Sequence, residues 1–124
     1  MGLKALLDTN AIIALLKNEG NLSDILRNYS EIYISVISVI EFQSFQNIGT
    51  SDLALFDRFL SRVIVVDLTQ SNHLLLKKII SVRQIKTLKL PDAIIAGTSI
   101  ILNADLFTAD RSFIKIEEIN IVTW

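Results

Sequence analysis

Short apolar runs alternate with longer stretches in which apolar residues recur every three or four positions. This pattern predicts strands separated by helices. Leu3 to Leu7 reads as a first strand that stops at Asp8-Thr9-Asn10, and Thr9 to Lys17 carries Ile12, Ile13, Leu15 and Leu16 at helical spacing. After Glu19-Gly20-Asn21, a short helix with Leu22, Ile25 and Leu26 closes near Tyr29. Ile32 to Ser35 is a second strand, followed by a helix over Ile37 to Asn47 and another, capped at Ser51-Asp52, through Leu60. Val63 to Val66 is a third strand, and Thr69 caps a long helix whose Leu74, Leu75, Ile79 and Val82 face a core. Pro91 opens a helix to about Leu102, since a proline is well placed in a first turn where its missing N–H costs nothing. Asp105 to Thr108 and Ile119 to Val122 complete five strands.

Runs such as Val63 to Val66 are apolar on both faces, as in a parallel sheet covered by helices on either side. The expected architecture is a single α/β domain over residues 1–124, a three-layer α/β/α sandwich around a central, mainly parallel five-stranded sheet. In such sheets a ligand sits beyond the carboxyl ends of the strands, where strand order reverses.

Composition narrows the class. The chain has 124 residues, 51% hydrophobic and 20% charged, which excludes a disordered chain. Cys is absent, so disulfides, thiolate metal sites and cysteine nucleophiles are excluded, and a reducing cytoplasm fits. The uncharged run Ala93 to Leu102 is far shorter than the roughly 20 residues of a membrane-spanning helix. A net charge of −1 means that any contact with nucleic acid rests on a local patch.

Four acids stand out. Asp8 and Asp110 follow strand ends, while Glu41 and Asp92 are charges inside otherwise apolar helical stretches. Each has a plainer reading: Asp8 as a helix cap, Asp92 in a first turn favoured by the helix dipole, Asp110 as a turn residue. Glu41 fits such a reading least, because a buried carboxylate needs a partner. Brought together, carboxylates about 5 Å apart repel by roughly 3 kcal/mol per pair at an effective dielectric of 20. Such a cluster protonates or recruits cations, and an all-oxygen donor set favours Mg2+ or Mn2+ and phosphodiester chemistry.

Leu6-Leu7-Asp8-Thr9-Asn10, Ser35-Val36-Ile37-Ser38-Val39-Ile40-Glu41-Phe42, Leu90-Pro91-Asp92-Ala93-Ile94-Ile95-Ala96 and Leu106-Phe107-Thr108-Ala109-Asp110 together resemble the PIN domain, and within it the VapC-type toxins of toxin–antitoxin pairs. The resemblance implies that Asp8, Glu41 and Asp92 bind Mg2+ or Mn2+, with Asp110 as the family's more variable fourth acid. It further implies that Thr108 supports the site and that Asn10 orients Asp8. The implied activity is endoribonuclease cleavage of RNA, and the implied partners are a VapB-type antitoxin and a second copy in a homodimer.

From Leu68 to Pro91 the chain has no acid but carries Lys77, Lys78, Arg83, Lys86 and Lys89. Lys86 and Lys89 are expected to hold RNA phosphates, which position a substrate without reading its sequence. Arg111 is a further phosphate contact or an ion pair to the acids. Two other readings stay open. In a phospho-receiver-like domain, Asp67 is the acceptor and Thr108 the switch residue; in a non-cleaving PIN-like module, RNA or protein is bound without chemistry.

Overall fold

Each strand contributes alternate side chains to opposite faces, and burial runs through consecutive strand residues because helices cover both faces. In the computed structural model, which describes residues 3–124 but not the side chain of Lys86, the strands are β1 (Lys4–Leu7), β2 (Glu31–Ser35), β3 (Ile64–Val66), β4 (Asp105–Phe107) and β5 (Ile121–Val122). They form one sheet in the order β3-β2-β1-β4-β5 with every pairing parallel. The helices are α1 (Thr9–Leu16), α2 (Leu22–Leu26), α3 (Val36–Gln43), α4 (Thr50–Leu60), α5 (His73–Lys86) and α6 (Leu90–Leu102). Leu6 and Leu106 point to one face and pack with Leu75, Ile79 and Val82 of α5 and Ala93 to Ala96 of α6. Ala5, Leu7, Ile34 and Phe107 point to the other, against Ala11 and Ile12 of α1, Leu22 and Leu26 of α2, Phe42 of α3 and Phe56 and Phe59 of α4. The result is the expected α/β/α sandwich.

α5 and α6 approach closely at Gly97. A Cβ there would lie 2.7 Å from Ile79 Cγ1 and 3.1 Å from the Ile79 nitrogen, so only glycine permits this contact.

Four local expectations change. The long helix is capped by Asn72, whose side chain accepts from the Leu75 N–H at 3.3 Å, while Thr69 pairs with Ser71 instead. Leu75, Ile79 and Val82 then face the core, and Leu74, one step round the helix, is 72% exposed rather than buried. β3 pairs only with β2 at the sheet edge and is covered only in part on both faces, Val66 packing on one side and Val65 on the other, while Ile64 is 44% exposed. The helix expected to reach Asn47 ends at Gln43, where the Ser44 hydroxyl donates to the Ile40 carbonyl at 2.6 Å. Asn47 then turns the chain with φ 66°. The fourth helix is capped by Gly49 and begins at Thr50, with Asp52 in its first turn. Among the described residues no helix is long and apolar enough to cross a membrane.

β1 lies between β2 and β4, so the chain leaves it in one direction and returns on the other side. The carboxyl end of β1 is therefore the point where strand order reverses, and Asp8 is the first residue beyond it.

Candidate functional site

Four segments distant in sequence deliver their acids to the carboxyl edge of the sheet. Asp8 follows β1, Glu41 lies on α3, Asp92 is in the first turn of α6, and Asp110 follows β4. All four line one cavity of about 250 Å3, together with Thr9, Asn10, Phe45, Pro91, Ile95 and Phe113. No Lys, Arg or His is in that lining.

Asp8 is the most tightly held, only 8% exposed. Its Oδ1 accepts the Ala11 N–H at 2.8 Å and caps α1, so the plain capping reading holds beside the functional one. Its Oδ2 accepts a hydrogen bond from the Thr108 hydroxyl. Thr108, 1% exposed, also accepts the Asp110 N–H at 3.0 Å, so one hydroxyl links the end of β1 to the loop after β4. Asp110 is exposed and caps the 3-10 turn Arg111–Phe113 through a 2.9 Å bond from the Ser112 N–H.

Glu41 finds its partner in Thr9, whose hydroxyl donates to Oε1 at 2.6 Å across 32 residues of sequence. Sequence reasoning did not single out Thr9, because nothing local in Asp8-Thr9-Asn10 foretells a partner on α3. Asn10 departs from expectation. It is exposed and lines the cavity, but both Asp8 oxygens are engaged by Ala11 and Thr108, and Asn10 makes no side-chain hydrogen bond among the described residues.

The charges act on one another. Burial raises the pKa of Asp8 above the ordinary carboxylate value; the hydrogen bonds from Thr108 and Ala11 oppose this, and the charges of Asp110 and Asp92 add to it. Asp92 is also raised, first by burial, then by Asp110, with Lys89 opposing and Glu41 adding. Both acids are harder to ionise first because they are buried and then because other acids are near.

An all-oxygen site without a lining cation suits a hard divalent ion. Among the described residues no three acids are drawn together tightly enough to clasp an ion with their side chains as they stand. They surround a cavity instead, which fits Mg2+, an ion that retains several waters and takes only one or two carboxylates directly.

The basic residues are more dispersed. Lys89 precedes α6 as its cap residue, and its charge acts on Asp92, which places it beside the acids. Lys86 ends α5, with its side chain outside the described residues. Lys78 points away from the cavity to Glu118, with N···O 3.6 Å. Arg111 is exposed and forms no ion pair among the described residues, so the expected alternative of a bridge to the acids is not realised. Asp67, the acceptor of the phospho-receiver reading, is exposed beyond the edge strand β3, two strands from Asp8, and does not line the cavity.

No curated protein matches the sequence closely enough to count as a relative. Solved structures do resemble the fold. A chain of the DNA-bound VapBC complex from Salmonella typhimurium superposes with a TM-score of 0.77 at 28% identity, covering 98% of both chains. A chain of a toxin–antitoxin complex from Klebsiella pneumoniae gives 0.73 at 27% identity, covering 93% of this chain and 94% of that one. VapBC2 from Rickettsia felis, bound to a DNA fragment from its promoter, gives 0.79 at 24% identity over 98% and 99%. The sequence model of the PIN domain matches residues 5–119, from β1 through the loop that follows Asp110. With that span matched, the chain belongs to the PIN domain family.

Proposed function

We propose that this chain is the toxin of a VapB–VapC-type pair, a Mg2+- or Mn2+-dependent endoribonuclease. The observation that carries this reading is the gathering of Asp8, Glu41, Asp92 and Asp110 around one cavity at the switch point of the sheet. These four acids would hold the cation. When bound, it supplies positive charge for an incoming phosphodiester and makes a water nucleophilic at neutral pH. The protein's own part is positioning. Thr108 fixes Asp8, Thr9 fixes Glu41, and the first turn of α6 fixes Asp92. Lys89, exposed at the start of α6, contacts an RNA phosphate, and Arg111, exposed beside Asp110, is a second such contact.

The VapBC and toxin–antitoxin complexes among the similar structures support a VapB-type antitoxin as partner. A homodimer is also proposed. Leu74 and Ile85, three turns apart on one face of α5, are 72% and 70% exposed and offer an apolar surface for it.

The test is cleavage of single-stranded RNA by the purified chain with Mg2+ or Mn2+, against EDTA and against Asp92→Asn. Asp92 is the cleanest replacement, because no side-chain hydrogen bond of the fold runs through it among the described residues. Activity that survives EDTA, or the Asp92 variant at its full rate, refutes the reading.

A further inference from the structure

Phe45 borders the acid cavity on one side and a second cavity on the other. It lies four residues beyond Glu41, past the end of α3, where the chain continues with a Phe45 N–H to Phe42 carbonyl bond at 3.4 Å. Phe45 is 43% exposed and offers a large apolar side chain beside a charged pocket. The ring is also backed by other aromatics. Phe42 lies 5.9 Å from it at an interplanar angle of 58°, and Phe42 itself stacks on the buried Phe56 at 4.2 Å.

The second cavity, about 270 Å3, is walled mainly by apolar side chains such as Ile13, Leu16 and Leu55 and opens beside Lys17, Gln46 and Asn47. The acid cavity is dominated by four carboxylates, which suit a cation and, through it, a phosphate. The neighbouring cavity differs: it shares the Phe45 face, has mainly apolar walls and two amides able to bond a base edge, and at its rim carries one cation, Lys17, and one acid, Asp52.

We propose that Phe45 is the stacking platform for the nucleobase next to the scissile phosphate, with the second cavity as the subsite that receives that base. This rests on the nuclease reading above and names how its substrate is positioned. A single-stranded substrate presents unstacked bases, and aromatic side chains bind them through π-faces that all four bases share. The platform therefore favours single-stranded RNA over a paired helix, whose bases are already stacked.

The experiment compares an RNA oligonucleotide that the wild type cleaves with the same oligonucleotide made abasic at the residue on either side of the cleaved bond. For the wild type, kcat/KM falls about tenfold with one abasic position, in line with the worth of a base–aromatic stack. Phe45→Ala falls by the same factor on intact RNA and loses nothing more on that abasic strand, whereas Phe45→Trp retains the wild-type preference. The rise in thermal midpoint with Mn2+ stays the same in both variants, which separates a lost base contact from a damaged acid pocket. Phe45→Ala cleaving intact RNA at the wild-type rate, or losing equally on intact and abasic strands, overturns the proposal and leaves the ring to a protein partner. A wild type that cleaves no RNA overturns the nuclease reading itself, and this one with it.

Discussion

Replacing Thr108 by Val keeps the volume at a position that is 1% exposed and removes one hydroxyl with two bonds. The first donates to the Asp8 carboxylate, and hydrogen bonds to charged groups contribute about 1.5–3 kcal/mol. The second accepts the Asp110 N–H, a neutral bond worth about 0.5–1.5 kcal/mol. The expected loss is about 2–4.5 kcal/mol at pH 7, read as a lower urea midpoint with an unchanged slope in EDTA. Thr108→Ser retains the hydroxyl and most of the stability. The pH dependence carries a sign. Burial holds the Asp8 pKa above 3.8, so this group's contribution is fully present below that value and is lost as pH rises through its folded-state pKa. The Thr108 bond opposes that rise, so its removal costs more at pH 7, where Asp8 is ionised, than at pH 3.5. A loss below about 0.5 kcal/mol at pH 7, or one equal at both pH values, refutes the role given to this hydroxyl.

Other consequences can be measured independently. Asp92→Asn removes a charge that its neighbours disfavour, so the cation-free variant melts above the wild type at pH 7; because the Asp92 pKa is raised, the gain shrinks toward pH 3.8, and Mn2+ stabilises the variant less than the wild type. A midpoint at or below that of the wild type at neutral pH would count against the clustered charges. Gly97→Ala forces α5 and α6 apart and costs about 1–3 kcal/mol in chemical denaturation, and a neutral result would mean that Ile79 moves aside freely. Tyr29 donates to Asp105 at 2.7 Å, and burial together with that bond pushes its pKa up to about 12. Its contribution is present below pH 10 and lost as pH rises through about 12, so Tyr29→Phe flattens the alkaline decline of stability, and an unchanged decline speaks against the bond.

The parallel sheet was legible because each strand is a short apolar run closed by a polar break, and Asp8 could be placed because it stands at the first such break. Glu41 and Asp92 showed themselves as charges among apolar neighbours. What the pattern does not carry is pairing across the chain. The hydroxyl of Thr9 meets Glu41 only after β2 and α3 are laid beside α1, and no spacing encodes that contact. Local competition hid other details. Thr69 and Asn72 are both good caps, and of the adjacent Leu74 and Leu75 only Leu75 shares the helix face of Ile79 and Val82. The apolar Val63 to Val66 run carries no signal of strand order, because composition does not distinguish a central strand from the edge position that β3 takes.

Asp8 begins a helix and fills a charged pocket with the same side chain. Loss of chemistry by drift is therefore unequal across the four acids. A lineage that replaced Asp92 would keep its architecture and become an inert binder, whereas replacing Asp8 with an apolar residue would also release the start of α1 and unsettle the central strand it follows. Decayed descendants of this sequence should thus retain Asp or Asn at position 8 long after the other acids have gone.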